Sequence, residues 1–273
     1  MKKTFLLLGL GAIGLFAFKK PESELQGVDI MSKSLTAMGA IKTMSYHFYA
    51  SERFKDNKIE KADVEFRVIA SPLKVYANAL KPDAAQLRYE PAVSSDVNVK
   101  KGIKINLKPT AGLLLKQQHN PIYKAGFAYM KKVLDKNLAL HKGDDLSKFV
   151  KLAGSVTYEG KDCHKIILTD PNYGFVNYTI KAGETIWKIA EAKAIPEYKV
   201  KELNNWMDYD DMVAGKTIKI PTAYAKVTTL YIDKSNNLPI YQKMEDDKGM
   251  YETYEFKELK VNPTFTATAF DFK

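Results

Sequence analysis

The chain has 273 residues, 45% of them hydrophobic, and a formal net charge of +10. This composition supplies enough apolar side chains for one large core or two smaller ones, and it excludes a wholly disordered chain. The single cysteine, Cys163, excludes an intrachain disulfide and a cysteine-based metal cluster.

The N-terminal residues are typical of a secretory signal peptide. Lys2 and Lys3 precede an apolar run over residues 4–18, which is shorter than the roughly 20 residues needed to span a bilayer. We therefore expect residues 1–20 to be a signal peptide and the protein to be exported to the periplasm or cell envelope. An uncleaved N-terminal anchor is the alternative. We expect no nucleic-acid partner, because the chain is exported and carries no nucleic-acid motif.

Helix and strand patterns then follow one another. Apolar residues at helical spacing predict an amphipathic helix over about residues 24–40. A second helix is predicted over residues 122–140, because Pro121 suits a helix start and an apolar stripe follows it. Alternating or apolar runs predict strands between the two helices at 46–50, 64–68, 73–80, 87–90 and 103–107.

Strands return in the C-terminal half of the chain, and short turns rich in Asp, Asn and Gly separate the last three. They are predicted at 154–159, 163–169, 225–232, 240–246 and 251–259. Such a series indicates an antiparallel meander. The stretch from 170 to 224 interrupts it with two short helical patterns. It therefore looks like an insertion between two strands that would otherwise form a hairpin.

The inserted stretch has a pattern of its own. It opens with Tyr178-Thr179-Ile180, turns at Gly183 and continues as a helix through Ala190. A second helix ends near Leu203-Asn204, and residues 215–221 form a last strand. Pairing of the two end strands brings the ends of the segment together, as an insertion into a hairpin requires.

These residues closely resemble the LysM family. The resemblance implies a βααβ module over residues 177–222 that binds glycans containing N-acetylglucosamine, and beside an export signal the implied partner is peptidoglycan. It places the sugar between two loops, whose residues here are Gly183, Glu184, Thr185 and Ile186, and Trp206, Met207, Asp208 and Tyr209. Backbone N–H groups at a helix start can bond an N-acetyl carbonyl, and an apolar side chain can cover a pyranose face. For Trp206, a place in the core is an equal alternative, and Glu184 can simply serve the helix N-terminus.

The remainder of the chain, residues 21–176 and 223–273, resembles exported bacterial proteins related to LolA-type lipoprotein carriers. The resemblance rests on Tyr89-Glu90-Pro91, Gly160-Lys161-Asp162-Cys163-His164, Tyr231-Ile232-Asp233, Leu238-Pro239-Ile240 and residues 254–262. It implies an α+β fold in which a curved antiparallel half-barrel sheet carries helices on its concave side. An apolar concave face can hold a lipid or the acyl chain of a lipoprotein. The candidate lining residues, each of which also suits an ordinary core, are Phe48, Phe66, Val68, Tyr76 and Leu87.

No residue pattern indicates catalysis, a metal or a cofactor. The histidines (His47, His119, His141 and His164) lack metal-ligand spacing, and no nucleophile-elbow or phosphate-loop motif is present. The sequence therefore predicts a non-catalytic cell-envelope protein that binds peptidoglycan and can hold a lipid or lipoprotein. Two alternatives are a cell-wall hydrolase targeted by the module and a structural or partner-binding scaffold.

Overall fold

The computed structural model describes residues 26–81, 84–142, 145–209 and 213–273. The predicted signal peptide at 1–20 lies outside these ranges. Within them, no helix combines the length and the apolar character that crossing a membrane requires.

Most of the chain forms strands. They are β1 (Thr43–Arg53), β2 (Ile59–Ala70), β3 (Leu73–Lys81), β4 (Ala85–Tyr89), β5 (Val97–Lys101), β6 (Ile103–Leu107), β7 (Val150–Tyr158), β8 (Lys161–Thr169), β9 (Phe175–Thr179), β10 (Thr217–Pro221), β11 (Val227–Asp233), β12 (Pro239–Asp246) and β13 (Gly249–Val261). Eleven of them form one antiparallel sheet in the order β6-β5-β4-β3-β2-β1-β13-β12-β11-β8-β7. Strands β6 and β7 are the two edges, so the curved sheet does not close into a barrel.

Helices cover the concave side of this sheet. They are α1 (Gly27–Gly39), α2 (Phe127–Leu140) and α3 (Leu146–Phe149), and α4 (Ile186–Lys193) and α5 (Glu197–Leu203) lie in the inserted segment. Inward side chains of alternate strand positions pack with α1 and α2 in one large core. The predicted α+β class, with a curved antiparallel sheet and helices on its concave side, is confirmed.

The helix predicted over residues 122–140 is interrupted near its start. A 3₁₀ turn covers Ile122–Lys124, and α2 begins only at Phe127. Gly126 between them has a φ of +83°, and a Cβ there would lie 3.1 Å from the Met44 sulfur. Its N–H donates to the Tyr46 hydroxyl at 3.1 Å. A close approach of the backbone to strand β1 therefore separates the two pieces.

The inserted segment forms its own small layer. Strands β9 and β10 pair antiparallel, from Phe175 with Pro221 to Thr179 with Thr217, and α4 and α5 lie between them in sequence. On either side of the segment, β8 and β11 are neighbours in the large sheet, with Thr169 opposite Val227. The segment thus leaves and re-enters the sheet at one hairpin end.

Candidate functional sites

The first loop of the small layer is held by its own side chains. Glu184 accepts hydrogen bonds from the Tyr178 hydroxyl at 2.7 Å and from the Lys181 N–H at 2.8 Å. The Lys181 N–H, followed by the Tyr178 hydroxyl, lowers the pKa of Glu184. Thr185 caps α4 by accepting the Lys188 N–H at 3.3 Å. Glu184 is therefore committed to the loop, while Gly183 and Thr185 are exposed.

The second loop turns its rings inward and one apolar side chain outward. Trp206 and Tyr209 are buried, whereas the Met207 side chain is 88% exposed. The Tyr209 ring lies 4.9 Å from the ring of Trp187, which follows the first loop directly. This contact brings the two predicted loops together.

The eight predicted sugar-site residues therefore divide into two groups. Those with exposed or half-exposed side chains or backbone are Gly183, Glu184, Thr185, Met207 and Asp208. Those in the core of the small layer are Ile186, Trp206 and Tyr209. Trp206 thus takes the core position that the sequence left as an alternative, and Met207 is the apolar side chain left at the surface.

The small layer packs against the large sheet through side-chain contacts and is not joined to it by the chain alone. Leu115 and Tyr251 of the host join its core cluster. The Tyr198 ring on α5 stacks on His119 with 4.2 Å between ring centroids, and its hydroxyl accepts the Lys55 N–H at 2.8 Å.

Buried ion pairs add to this contact. Lys199, 1% exposed, donates to Asp246 at 2.7 Å and to Asp247 at 2.9 Å. Burial opposes ionisation of Asp246, but hydrogen bonds from Arg53 and Lys199 lower its pKa overall. These contacts fix the orientation of the two layers.

A cavity of about 140 Å³ lies between the concave face and the elements that cover it. Three of the five predicted lining residues, Phe48, Phe66 and Leu87, face it. Val68 belongs to the same core but does not line the cavity. Other lining residues of the cavity are Glu52, Gln118, Asn120, Lys124, Tyr129, Gln242, Tyr254 and Phe256.

Tyr76 lies on the opposite face of the sheet. Its neighbours Val75 and Ala77 belong to the core, so strand alternation turns Tyr76 outward. The Arg67 guanidinium lies 5.0 Å from its ring and donates to the Ala269 carbonyl of the C-terminal tail. Arg67 thus links Tyr76 to the tail on this outer face, and Tyr76 lies outside the cavity wall in which the sequence placed it.

A buried polar cluster, not predicted from the sequence, lies at one end of the cavity. Glu52 on β1 and Glu252 on β13 are paired residues on neighbouring strands. His119 reaches both, because its N–H donates to Glu52 at 2.6 Å and its Nδ1 lies 2.8 Å from Glu252. Tyr224 and Tyr254 donate to the outer oxygens, at 3.0 Å on Glu252 and 2.5 Å on Glu52.

The Arg53 carbonyl determines which nitrogen of His119 carries a hydrogen. The Arg53 carbonyl can only accept, so His119 Nε2, 3.1 Å away, carries a hydrogen. Burial lowers the pKa of His119 and raises that of Glu252 to about 8. The neutral imidazole then accepts at Nδ1 from a protonated Glu252. The same three side chains offer ligand atoms within 4.8 Å of one another, a donor set that could hold a divalent cation.

The glutamates could have been found from strand parity, but the histidine could not. Glu52 continues the inward series of Phe48 and Ala50, and Glu252 precedes the inward Tyr254. His119 lies in an irregular loop, 67 residues from Glu52 and 133 from Glu252 in sequence. No local pattern indicates that loop's position.

Residues 178–221 match the LysM domain. The predicted LysM module is therefore confirmed. The match indicates glycan binding by this segment, through a fold that is not itself catalytic.

Several solved structures are similar to the chain as a whole. A chain in the complex of Pseudomonas aeruginosa MucA and MucB is 10% identical, with a TM-score of 0.42, over 90% of this chain and 61% of that chain. The Mycobacterium tuberculosis lipoprotein LppX is 14% identical, with a TM-score of 0.41, over 88% of this chain and 97% of its own. A LolA-superfamily protein from Nitrosomonas europaea is 8% identical, with a TM-score of 0.33, over 91% and 98%. This chain spans about three fifths of the matched chain in the MucA–MucB complex. A search of curated proteins finds no significant match.

Proposed function

We propose that this protein is a non-catalytic component of the cell envelope that binds peptidoglycan through its LysM segment and holds an apolar ligand, a lipid or a lipoprotein acyl chain, in its half-barrel. The observation that carries the proposal is the meeting of two loops, with Gly183, Thr185 and Met207 exposed, inside a segment that matches the LysM domain.

The exposed part of the two loops suits an acetylated sugar. Backbone groups at the exposed Gly183 turn and the start of α4 can bond an N-acetyl carbonyl. The Met207 side chain supplies a polarisable apolar surface for a pyranose face. Glu184 and Thr185 hold the first loop in shape through their hydrogen bonds to Lys181 and Lys188.

The cavity suits an apolar ligand because aromatic and aliphatic side chains form most of its wall, including Phe48, Phe66 and Phe256. Burial of a chain against such a wall needs little directional bonding. Its volume is close to the roughly 150 Å³ of an engineered cavity that takes benzene. A segment of about six chain carbons therefore fills it.

Sedimentation with insoluble peptidoglycan tests the glycan site. We expect Met207→Ala to weaken binding about tenfold, which equals ~1.4 kcal/mol. Thr185→Trp should abolish binding, because the new ring fills the space between the loops. Val176→Ala, which shortens another exposed apolar side chain, at the start of β9 and away from the two loops, should bind as the wild type does.

Thr185→Ala is the matched control for the lost helix cap, since it removes the cap without adding bulk. Unchanged sedimentation of both Thr185→Trp and Met207→Ala would contradict the site. Point variants are preferred to deletion of the segment, because Tyr198 and Lys199 also support the host sheet.

Native mass spectrometry after mild extraction tests the cavity. A bound apolar molecule is the expected result, and a consistently empty protein would count against a carrier role. Release of soluble muropeptides from peptidoglycan by the purified protein would contradict the non-catalytic part of the proposal.

A further inference from the structure

One wall of the cavity carries a buried amide with no partner. Gln242 on β12 lines the cavity and is 8% exposed. Among the described ranges 26–81, 84–142, 145–209 and 213–273, no group forms a hydrogen bond with its side chain. The Gln242 amide is not fully enclosed by protein atoms, so it borders the cavity, where a ligand or a water can satisfy it.

Tyr254, the residue beside Gln242 on the next strand, already has hydrogen-bond partners. Tyr254, paired with Gln242 across β12 and β13, donates to Glu52 at 2.5 Å and accepts from the Asn120 amide at 2.8 Å. A ligand that enters the cavity therefore meets Gln242 as an unsatisfied amide beside a carboxyl group.

Lys124 also faces the cavity, but most of its ammonium group is already engaged. An ammonium group has three donors. Two of them bond Glu197 at 2.5 Å and Asn120 at 3.1 Å, and the group lies 4.4 Å from the centre of the Tyr129 ring. The charge of Lys124 is therefore paired with Glu197, which disfavours the binding of an anionic headgroup.

We propose that Gln242 recognises an amide on the bound chain, so that the ligand is an acyl chain that ends in, or is attached through, a carboxamide. This inference rests on the proposed cavity function. A primary carboxamide has a donor and an acceptor on the same side, so it can form two hydrogen bonds with the Gln242 amide, whereas a trans secondary amide forms one, either as donor or as acceptor. A carboxylate or an ester can only accept, and an ammonium can only donate.

Isothermal titration calorimetry of the full chain with eight-carbon probes tests the inference. The probes are octanamide, octanoate, methyl octanoate and octylamine, which share a chain length and differ at the polar end. We expect octanamide to bind at least tenfold more tightly than octanoate or methyl octanoate. N-octanoylglycinamide is added to separate two sources of the amide. Tight binding of this probe alone indicates an acylated peptide, and tight binding of octanamide alone indicates a free fatty amide.

Gln242→Leu should lower the affinity for octanamide about tenfold and leave that for methyl octanoate within about twofold. Its thermal midpoint should stay close to that of the wild type, because no hydrogen bond to a described residue is lost. Gln117→Leu makes the same chemical change outside the cavity and should alter neither affinity. If Gln242→Leu does not fold, the isosteric Gln242→Glu should reverse the preference, so that octylamine binds more tightly than octanamide.

The experiment distinguishes failure of the amide inference from failure of the proposed cavity function. Similar affinities for all the headgroups, or an amide preference that survives in Gln242→Leu, would overturn the amide inference and leave the cavity function standing. Absence of binding by every probe would overturn the cavity function and the inference together.

Discussion

The LysM segment and the host sheet differ in where their candidate binding residues lie, which is at the surface in the segment and in the interior in the host. The segment closes a small core around residues such as Ile189 and Ile220 and leaves Gly183, Thr185 and Met207 outside. The host keeps a cavity of about 140 Å³ and buries Glu52 and Glu252 at its end. A two-stranded layer fills its interior with its own core side chains, so the proposed sugar site lies at its loops. An eleven-stranded curved sheet can enclose one.

The two regions are nonetheless packed against each other. The largest expected loss of stability comes from a substitution that removes a buried ion pair between them. Lys199→Met should destabilise the protein by about 3 kcal/mol, because it removes one partner of a buried ion pair with Asp246. Urea unfolding measures the loss. The free energy of unfolding of Lys216→Met, an exposed lysine in the same segment, should change by no more than about 0.5 kcal/mol. Equal stability of the two variants would mean that the segment is tethered rather than docked.

A second test addresses the buried acid of the host. Glu252 keeps its proton in the folded protein up to about pH 8, because burial raises its pKa from the usual 4.5. Between these values the folded state binds more protons than the unfolded state, so the free energy of unfolding falls as pH rises. Glu252→Gln mimics the protonated acid. It should match the wild type in stability near pH 4.5 and exceed it by about 2 kcal/mol at pH 6.

The difference between wild type and Glu252→Gln is the quantity to measure, by urea unfolding at each pH. His119 has a lowered pKa and contributes a slope of opposite sign below its usual 6.5. That slope is largely shared by both proteins and cancels in the difference. Glu258→Gln, an exposed change on the same strand, should show no trend with pH. A flat difference for Glu252→Gln would contradict a protonated Glu252.

The smallest expected effect concerns the local structure of the LysM segment. Thr185→Ala should cost about 1 kcal/mol, because α4 loses the side-chain acceptor for the Lys188 N–H. Thr185→Ser keeps the acceptor and should stay close to the wild type in urea unfolding. A loss of equal size in both variants would assign the effect to the Thr185 methyl group instead.

Prediction from the sequence succeeded for elements that a short local pattern specifies. The turn at Gly183 and the helix through Ala190 were visible as short patterns, and the segment lies where they predicted. The alternation around Phe48 and Phe66 gave the inward face of β1 and β2. It failed at Tyr76, because the parity of β3 and the cover from the C-terminal tail had to be known together.

The sequence by itself determined most of the helices and strands, their antiparallel meander and the LysM-like pattern, because these depend on spacing and turns within a few residues. The α+β half-barrel was implied by the resemblance to LolA-type carriers. Only the tertiary structure decided that Trp206 belongs to the core and that His119 joins Glu52 to Glu252. It also decided that Gln242 faces the cavity and that no residue in the described part of the chain bonds its amide. Each of these depends on groups far apart in the chain, whose meeting is set by how the loops close over the sheet. Periodicity carries no information about such contacts.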